Sequence, residues 1–390
     1  MKKIFLTLGF LPFIIFWLAC SGQKVNPEPG ALQIDQYKHL IEGKSVAVVA
    51  NQTSMVGREH LVDTLLSIGI RVDVIFAPEH GFRDLADAGD KIQDGRDTET
   101  GVRIISLYGG HLKPTPDDLA GIDVVLFDIQ DVGVRFYTYI STLHYVLEAC
   151  AENNVECIVL DRPNPNGFYF DGNITDTAYR SFVGMDPVPI VHGMTVGEYA
   201  RMLNGEGWLK DGLKCSLTVI KCNSYTHKTL YELPVKPSPN LPNMNSVYLY
   251  PSICFFEGTR ISLGRGTSFP FQVYGSPELP DTGFSFTPES VPGARNPPLL
   301  GEKCYGVDLR NAISDKIVPS PKVNLEWVID AYIRFPEKDN FFTSYFDVLA
   351  SGPALREQIR KGMSAEEIRA TWKEGLDRFG KIRGKYLLYP

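Results

Sequence analysis

The 390-residue chain carries 46 acidic against 39 basic side chains, a formal net charge of -7, and is 44% hydrophobic. This is the composition of a globular protein, and with no Lys/Arg-rich block or basic stripe it argues against a nucleic-acid partner. The length suits two domains of roughly 100–200 residues each.

Met1-Lys2-Lys3, an apolar run over 4–18 and Ala19-Cys20-Ser21-Gly22 read as a secretory signal of the lipoprotein type. Trp17 stands where such signals usually carry leucine. Cleavage would leave Cys20 as a lipid-bearing N-terminus, the one expected contact with a membrane, and would make residues 21–30, with Pro27 and Pro29, a tether. Ordinary secretion is the alternative. Either way the chain is expected outside the cytoplasm, periplasmic or membrane-anchored. Six further cysteines, 150, 157, 215, 222, 254 and 304, include no C-x-x-C and sit in apolar patterns. Buried thiols with at most one bridge are expected, and no structural zinc.

Short β-branched runs at 46–50, 72–76, 102–107, 122–127, 157–160 and 216–220 read as strands. Helical stretches at 61–68 and 137–151 lie between them, giving the βαβ pattern of a parallel, helix-covered α/β sheet. Polar clusters follow four of the strands: Asn51-Gln52-Thr53-Ser54, Glu79-His80, Asp128-Ile129-Gln130-Asp131 and Asp161-Arg162-Pro163-Asn164. The ends of parallel strands share one edge, where ligands bind. Asn51, Thr53 and Asp161 could equally be caps. Glu79, after Phe76-Ala77-Pro78, has no evident capping role and is the best single candidate for catalysis.

Arg135 beside Tyr137 and Tyr139 suits a sugar or a carboxylate, although aromatics in such runs commonly just pack. Thr195 and Glu198 form a capping-box pattern opening a helix, with His192 in the loop before it. Prolines 234, 237, 239 and 242 mark a boundary, so 31–233 and 234–390 are taken as the two domains. Gly264-Arg265-Gly266 resembles an anion-cradling loop, a weak signal alone. Near the C-terminus Ser364 and Glu367 again form a capping box, ahead of a core helix carrying Ile368, Trp372, Leu376 and Phe379.

Five stretches then occur in order: 78–83 (PEHGFR), 128–139 (DIQDVGVRFYTY), 161–165 (DRPNP), 237–242 (PSPNLP), and 256–259 continuing to 264–267. Together they resemble the exo-lytic β-N-acetylmuramidases, the NamZ family of glycoside hydrolases (family 171). The resemblance covers nearly all of the chain after the signal. It implies a Rossmann-like parallel sheet domain, a smaller α+β C-terminal domain and an active site in the cleft between them. It also implies hydrolytic release of N-acetylmuramic acid from the non-reducing end of cell-wall glycan fragments, with the catalytic glutamate falling at Glu79. Neither metal nor cofactor is implied, and no G-x-G-x-x-G follows the first strand.

Glycoside cleavage needs a proton donor and a second group at the oxocarbenium-like centre. Glu79 is expected as the acid. Either Asp128 or Asp131 serves as nucleophile or base, or the substrate's own 2-acetamido group attacks while a carboxylate orients it; the second course is preferred. The lactyl carboxylate of the substrate calls for a guanidinium. Arg83, Arg135, Arg162, Arg260 and Arg265 all lie in the motifs, with Arg135 and Arg265 favoured. Asn51, Gln52, His80, Gln130, Tyr137, Asp161, Asn164, His192, Asn240 and Glu257 complete the expected substrate-binding set. A serine acyl hydrolase is disfavoured because the mature chain has no G-x-S-x-G and its folded part no S-x-x-K. A non-catalytic muropeptide-binding lipoprotein is the remaining alternative.

Overall fold

The computed structural model describes residues 26–83, 94–313 and 320–390. The signal segment 1–20 and Cys20 lie outside the described residues. The first part of the chain runs α1 (Ile34–Ile41), β1 (Ser45–Ala50), a small hairpin of β2 (Met55–Val56) and β3 (Glu59–His60), α2 (Leu61–Ser67) and β4 (Arg71–Ala77). It continues through β5 (Gly95–Arg96), β6 (Arg103–Ser106), β7 (Val124–Asp128), α3 (Tyr139–Asn153), β8 (Glu156–Leu160), α4 (Val196–Glu206) and β9 (Leu217–Ile220). Seven of these strands form one sheet in the order β5-β6-β4-β1-β7-β8-β9. All pairings are parallel except that of the edge strand β5.

β1 shows why the sheet is covered on both faces. Val46, Val48 and Ala50 pack with Tyr37, Ile41, Leu61 and Leu65 of α1 and α2. Ala47 and Val49 point the other way, into a cluster with Leu143 and Val146 of α3 and Tyr199 and Met202 of α4. A strand buried on both faces has no need of polar alternation, hence its run of apolar residues. The chain leaves β1 toward β4 and β6 on one side, then crosses back to β7 on the other. The order therefore reverses beside β1, and the crevice above that reversal is where α/β sheets bind ligands.

The second part comprises α5 (Met244–Ile253), a 3-10 turn (Cys254–Gly258), and the strands β10 (Val273–Ser276), β11 (Ser285–Phe286) and β12 (Cys304–Asp308). It closes with α6 (Glu326–Arg334), α7 (Ser344–Ala350), α8 (Ala354–Arg360) and α9 (Ala365–Arg383). Its three strands pair antiparallel in the order β10-β12-β11. Phe335, Phe341, Phe346, Trp372 and Phe379 join the same core cluster as α3 and α4, so the two parts share buried apolar surface. Both expected capping boxes are formed, by Thr195 and Glu198 on α4 and by Ser364 and Glu367 on α9.

One expectation needs correction. Residues 28–30, assigned to the tether, are docked on the sheet: Glu28 bridges Asn223, and the Gly30 amide donates to the carbonyl of Asp161. A Cβ at Gly30 would come within 2.4 Å of the Ile220 carbonyl oxygen, so only glycine permits this approach. The six described cysteines are buried free thiols, within the expectation of buried thiols and at most one bridge. No helix among the described residues is long and apolar enough to cross a membrane.

Candidate active site

β4 ends at Ala77, and Pro78, lacking an N–H, cannot extend the ladder. The chain turns at once. His80 takes φ 73° and Gly81 φ 89°, and the Gly81 amide donates to the Pro78 carbonyl at 3.1 Å. A left-handed histidine costs about 1–3 kcal/mol and persists only where its surroundings impose it. Here the next two residues do so. Phe82 is buried edge-on to His60 at 4.6 Å, and Arg83 forks between two carboxylates, with Nε at 2.8 Å from Asp97 and Nη1 at 2.8 Å from Asp63. The strained turn sets Glu79 above the crevice.

Glu79 lines a cavity of about 330 Å³. Tyr108 donates to its Oε1 at 2.9 Å, Thr138 to its Oε2 at 3.4 Å, and Tyr139 to its main-chain carbonyl at 3.4 Å. The facing wall belongs to the second part of the chain. Glu257, from the 3-10 turn, and Arg265, from the following loop, meet there as an ion pair, with Arg265 Nε at 3.0 Å from Glu257 Oε1 and Nη2 on the same oxygen. The guanidinium also lies 4.9 Å from the centre of the Phe271 ring, a cation–π contact. Its Nη1 makes no hydrogen bond among the described residues. Tyr345 reaches the same cavity from α7.

Burial, and then the charge of Glu79, push the phenols of Tyr108 and Tyr139 well above their ordinary range. They stay protonated, Tyr108 donating to the carboxylate and Tyr139 to the Glu79 main-chain carbonyl. The site thus joins a carboxyl group placed to exchange a proton, a guanidinium with a free edge, a second carboxylate, and aromatic walls that suit the C–H faces of a sugar. No group of side chains able to hold a metal ion occurs among the described residues.

Of the residues singled out in the sequence, the cavity brings together Glu79, His80, Tyr137, Tyr139, Glu257 and Arg265. The others have different work. Asp128, expected as a catalytic carboxylate, is fully buried and forked by Arg162 Nε and Nη2 at 2.6 and 2.8 Å, so neither partner reaches substrate. Asp131 is buried behind the tyrosines, its Oδ2 accepting the Gly133 amide at 2.6 Å. Arg135, favoured for the lactyl carboxylate, is 1% exposed; it donates to the carbonyls of Asn173 at 2.6 Å and Leu349 at 2.9 Å and so pins the two parts together. Asp161 accepts from Thr195, the Gly197 amide and Tyr389, the capping role left open above, and burial pushes its carboxyl up to about 6.

Further corrections follow because these side chains are engaged within the fold, most of them with main-chain groups. The Asn51 side-chain oxygen takes the Thr53 amide and hydroxyl in a turn after β1. Gln52 donates to the Pro237 carbonyl, Gln130 to those of Asp131 and Pro163, Asn164 to that of Met194 and Asn240 to that of Gly293. His192 is fully buried, its Nδ1 accepting the Met194 amide at 3.3 Å. Arg83 holds the turn, and Arg260 sits at the surface 3.5 Å from Glu278. Sequence reasoning missed Tyr108, Tyr250, Phe271 and Tyr345. Tyr108 directly follows the third strand run and was open to the strand-end rule; nothing local marks the other three.

Comparison with known proteins gives concordant matches. The profile for the N-terminal region of the exo-β-N-acetylmuramidase NamZ matches residues 46–245, and that for its C-terminal region matches 248–389. The peptidoglycan β-N-acetylmuramidase NamZ of Bacillus subtilis (strain 168) is 39% identical over 375 residues, 91% of this chain and 89% of that protein. Among solved structures, one DUF1343 family protein from Bacteroides fragilis NCTC 9343 is 48% identical with a TM-score of 0.87, covering 94% of this chain and 99% of that one. A second from the same organism is 29% identical with a TM-score of 0.81, covering 94% and 100%.

Proposed function

Because the chain belongs to the exo-β-N-acetylmuramidase NamZ family, we propose that it is a glycosidase that releases N-acetylmuramic acid from the non-reducing end of peptidoglycan fragments. The observation that carries this reading is one cavity holding Glu79 on one wall and Arg265 on the other. At about 330 Å³ it lies near the lower bound of the usual range of ligand pockets, roughly 300–1,000 Å³, which suits one sugar rather than a run of them.

In this reading Glu79 protonates the glycosidic oxygen as the bond to C1 breaks. Tyr108 and Thr138 orient its carboxyl group. Arg265 is the arginine that lines the cavity, and its free Nη1 edge is offered to the lactyl carboxylate, the group that separates this sugar from N-acetylglucosamine. Export and anchoring through Cys20, with turnover of wall fragments outside the cytoplasm, complete the proposal. So does the division into a Rossmann-like catalytic domain over 31–233 and a C-terminal domain over 234–390 that closes the cleft. Incubation with the disaccharide N-acetylmuramyl-N-acetylglucosamine tests the activity: release of both free sugars supports it, and an intact disaccharide refutes it. Globomycin-sensitive processing, lost in Cys20→Ala, tests the anchor.

A further inference from the structure

The reaction proposed above needs a second group at C1, and the two aspartates first considered for it are engaged elsewhere. We propose that Glu257 is that group, acting as the carboxylate that binds the N–H of the substrate's 2-acetamido substituent and turns its carbonyl oxygen onto C1. This rests on the glycosidase reading. Three observations support the assignment.

Glu79 and Glu257 are the carboxylates that line the cavity among the described residues. They come from different parts of the chain, one after β4 and one from the 3-10 turn, so a sugar in the cavity lies between them. Tyr345 reports their common space. It lines the cavity together with both carboxylates. The orientation of Glu257 is the third. Arg265 directs Nε and Nη2 at Oε1, while among the described residues Oε2 has only the thiol of Cys254 at 3.8 Å, a weak donor. The side chain is 22% exposed, so Oε2 is a strong acceptor lacking a strong donor at the edge of the cavity. An amide N–H is the donor such a substrate brings.

The steps balance without any co-reactant beyond water. Glu79 gives its proton to the glycosidic oxygen, the C1–O bond breaks, and that electron pair leaves with the aglycone hydroxyl. The acetamido oxygen forms a bond to C1, and the positive charge developing on its nitrogen is stabilised by Glu257. Water then attacks C1, losing its proton to the Glu79 carboxylate, and the C1–O bond to the acetamido group reopens to regenerate the amide. Glu79 is again protonated. Glu257 is thus a catalytic residue through contact with the reacting substituent, and it needs no covalent bond to sugar.

The test is the turnover of aryl β-N-acetylmuramides whose acetyl group carries zero to three fluorines, by the wild-type chain, Glu257→Gln and Glu257→Asp, with thermal melting alongside. Fluorine weakens the carbonyl oxygen as a nucleophile, so wild-type kcat should fall steeply along the series. On the unfluorinated substrate, Glu257→Gln should lose roughly 10²–10⁴-fold in kcat, the range for a group acting on a proton in the transition state, with KM changing much less. A wild-type rate indifferent to fluorine overturns the inference, as does a folded Glu257→Gln within threefold of wild type. Should Glu257→Gln not fold, the wild-type series and Glu257→Asp decide it alone. Turnover of the parent muramide with a flat fluorine series rejects only this inference; no turnover by the wild-type chain rejects the glycosidase reading with it.

Discussion

Replacing Asp128 with asparagine separates a structural carboxylate from a catalytic one. Asp128 is fully buried and its two oxygens take two N–H groups of Arg162, whose side chain is itself 3% exposed. Asparagine keeps the shape but leaves a buried guanidinium with no counter-charge, a loss of about 3–5 kcal/mol for removal of one partner of such a pair. At roughly 2 °C per kcal/mol for a chain longer than 150–250 residues, the melting temperature should drop by about 6–10 °C. The double variant Asp128→Leu/Arg162→Met removes both charges and should recover part of that loss, since matched apolar replacements are often neutral or better. Urea or thermal unfolding by circular dichroism gives the stability, and kcat on a chromogenic muramide at 20 °C, per folded molecule, gives the activity. Activity should stay within about threefold of wild type, because neither side chain lines the cavity. An unchanged melting curve with activity down a hundredfold would refute the structural reading and return Asp128 to the chemistry.

Arg265→Ala should cost both substrates through its hold on Glu257, and muramides about 10- to 100-fold more in kcat/KM than glucosaminides, the worth of roughly 1.5–3 kcal/mol for a charged hydrogen bond; equal losses on both would remove Arg265 from lactyl recognition. His144 is buried, which alone would lower its pKa, but its bonds to Asp186 and Glu148 outweigh burial and raise it to about 9. A folded pKa above the unfolded value near 6.5 gives stability that is fully present below pH 6.5 and lost as the pH climbs through 9. Melting temperatures should therefore fall between pH 6 and pH 10, and His144→Gln should remove most of that difference; an equal slope in the variant would assign it to other groups. Gly133→Ala should cost more than about 1 kcal/mol, since φ is 79° there and a Cβ would lie 2.4 Å from the Asn164 side chain; a neutral result in urea unfolding would contradict the packing.

The sheet was legible because its central strands, above all β1, β7 and β8, are short apolar runs, and a strand buried on both faces advertises itself by composition alone. Observed boundaries lie within two residues of those expected. Glu79 was legible for a related reason. It follows a strand next to the reversal in strand order, past a proline that ends the ladder, in a place where a carboxylate has no capping duty. Arg135 reads in the sequence as a substrate contact, and the capping role of Asp161 stays open there, because a buried main-chain carbonyl or a helix N-terminus recruits the same residue types as a sugar. Sequence shows which charges lie near a strand end, not the direction in which each side chain turns. Tyr345 was invisible for another reason. Its place in the cavity depends on how α7 packs on the turn holding Glu257, a contact between residues far apart in sequence that no local pattern encodes.

The most direct test of Glu79 is turnover of a chromogenic β-N-acetylmuramide beside the matching N-acetylglucosaminide, by the soluble chain from Gln23 onward and by its Glu79→Gln variant. Release from the muramide, with little from the glucosaminide, and a loss of roughly 10²–10⁴-fold in the folded variant are expected of a general acid. A Glu79→Gln variant that turns over the muramide at the wild-type rate would contradict the assignment of Glu79, and with it the reading of this cavity as the active site.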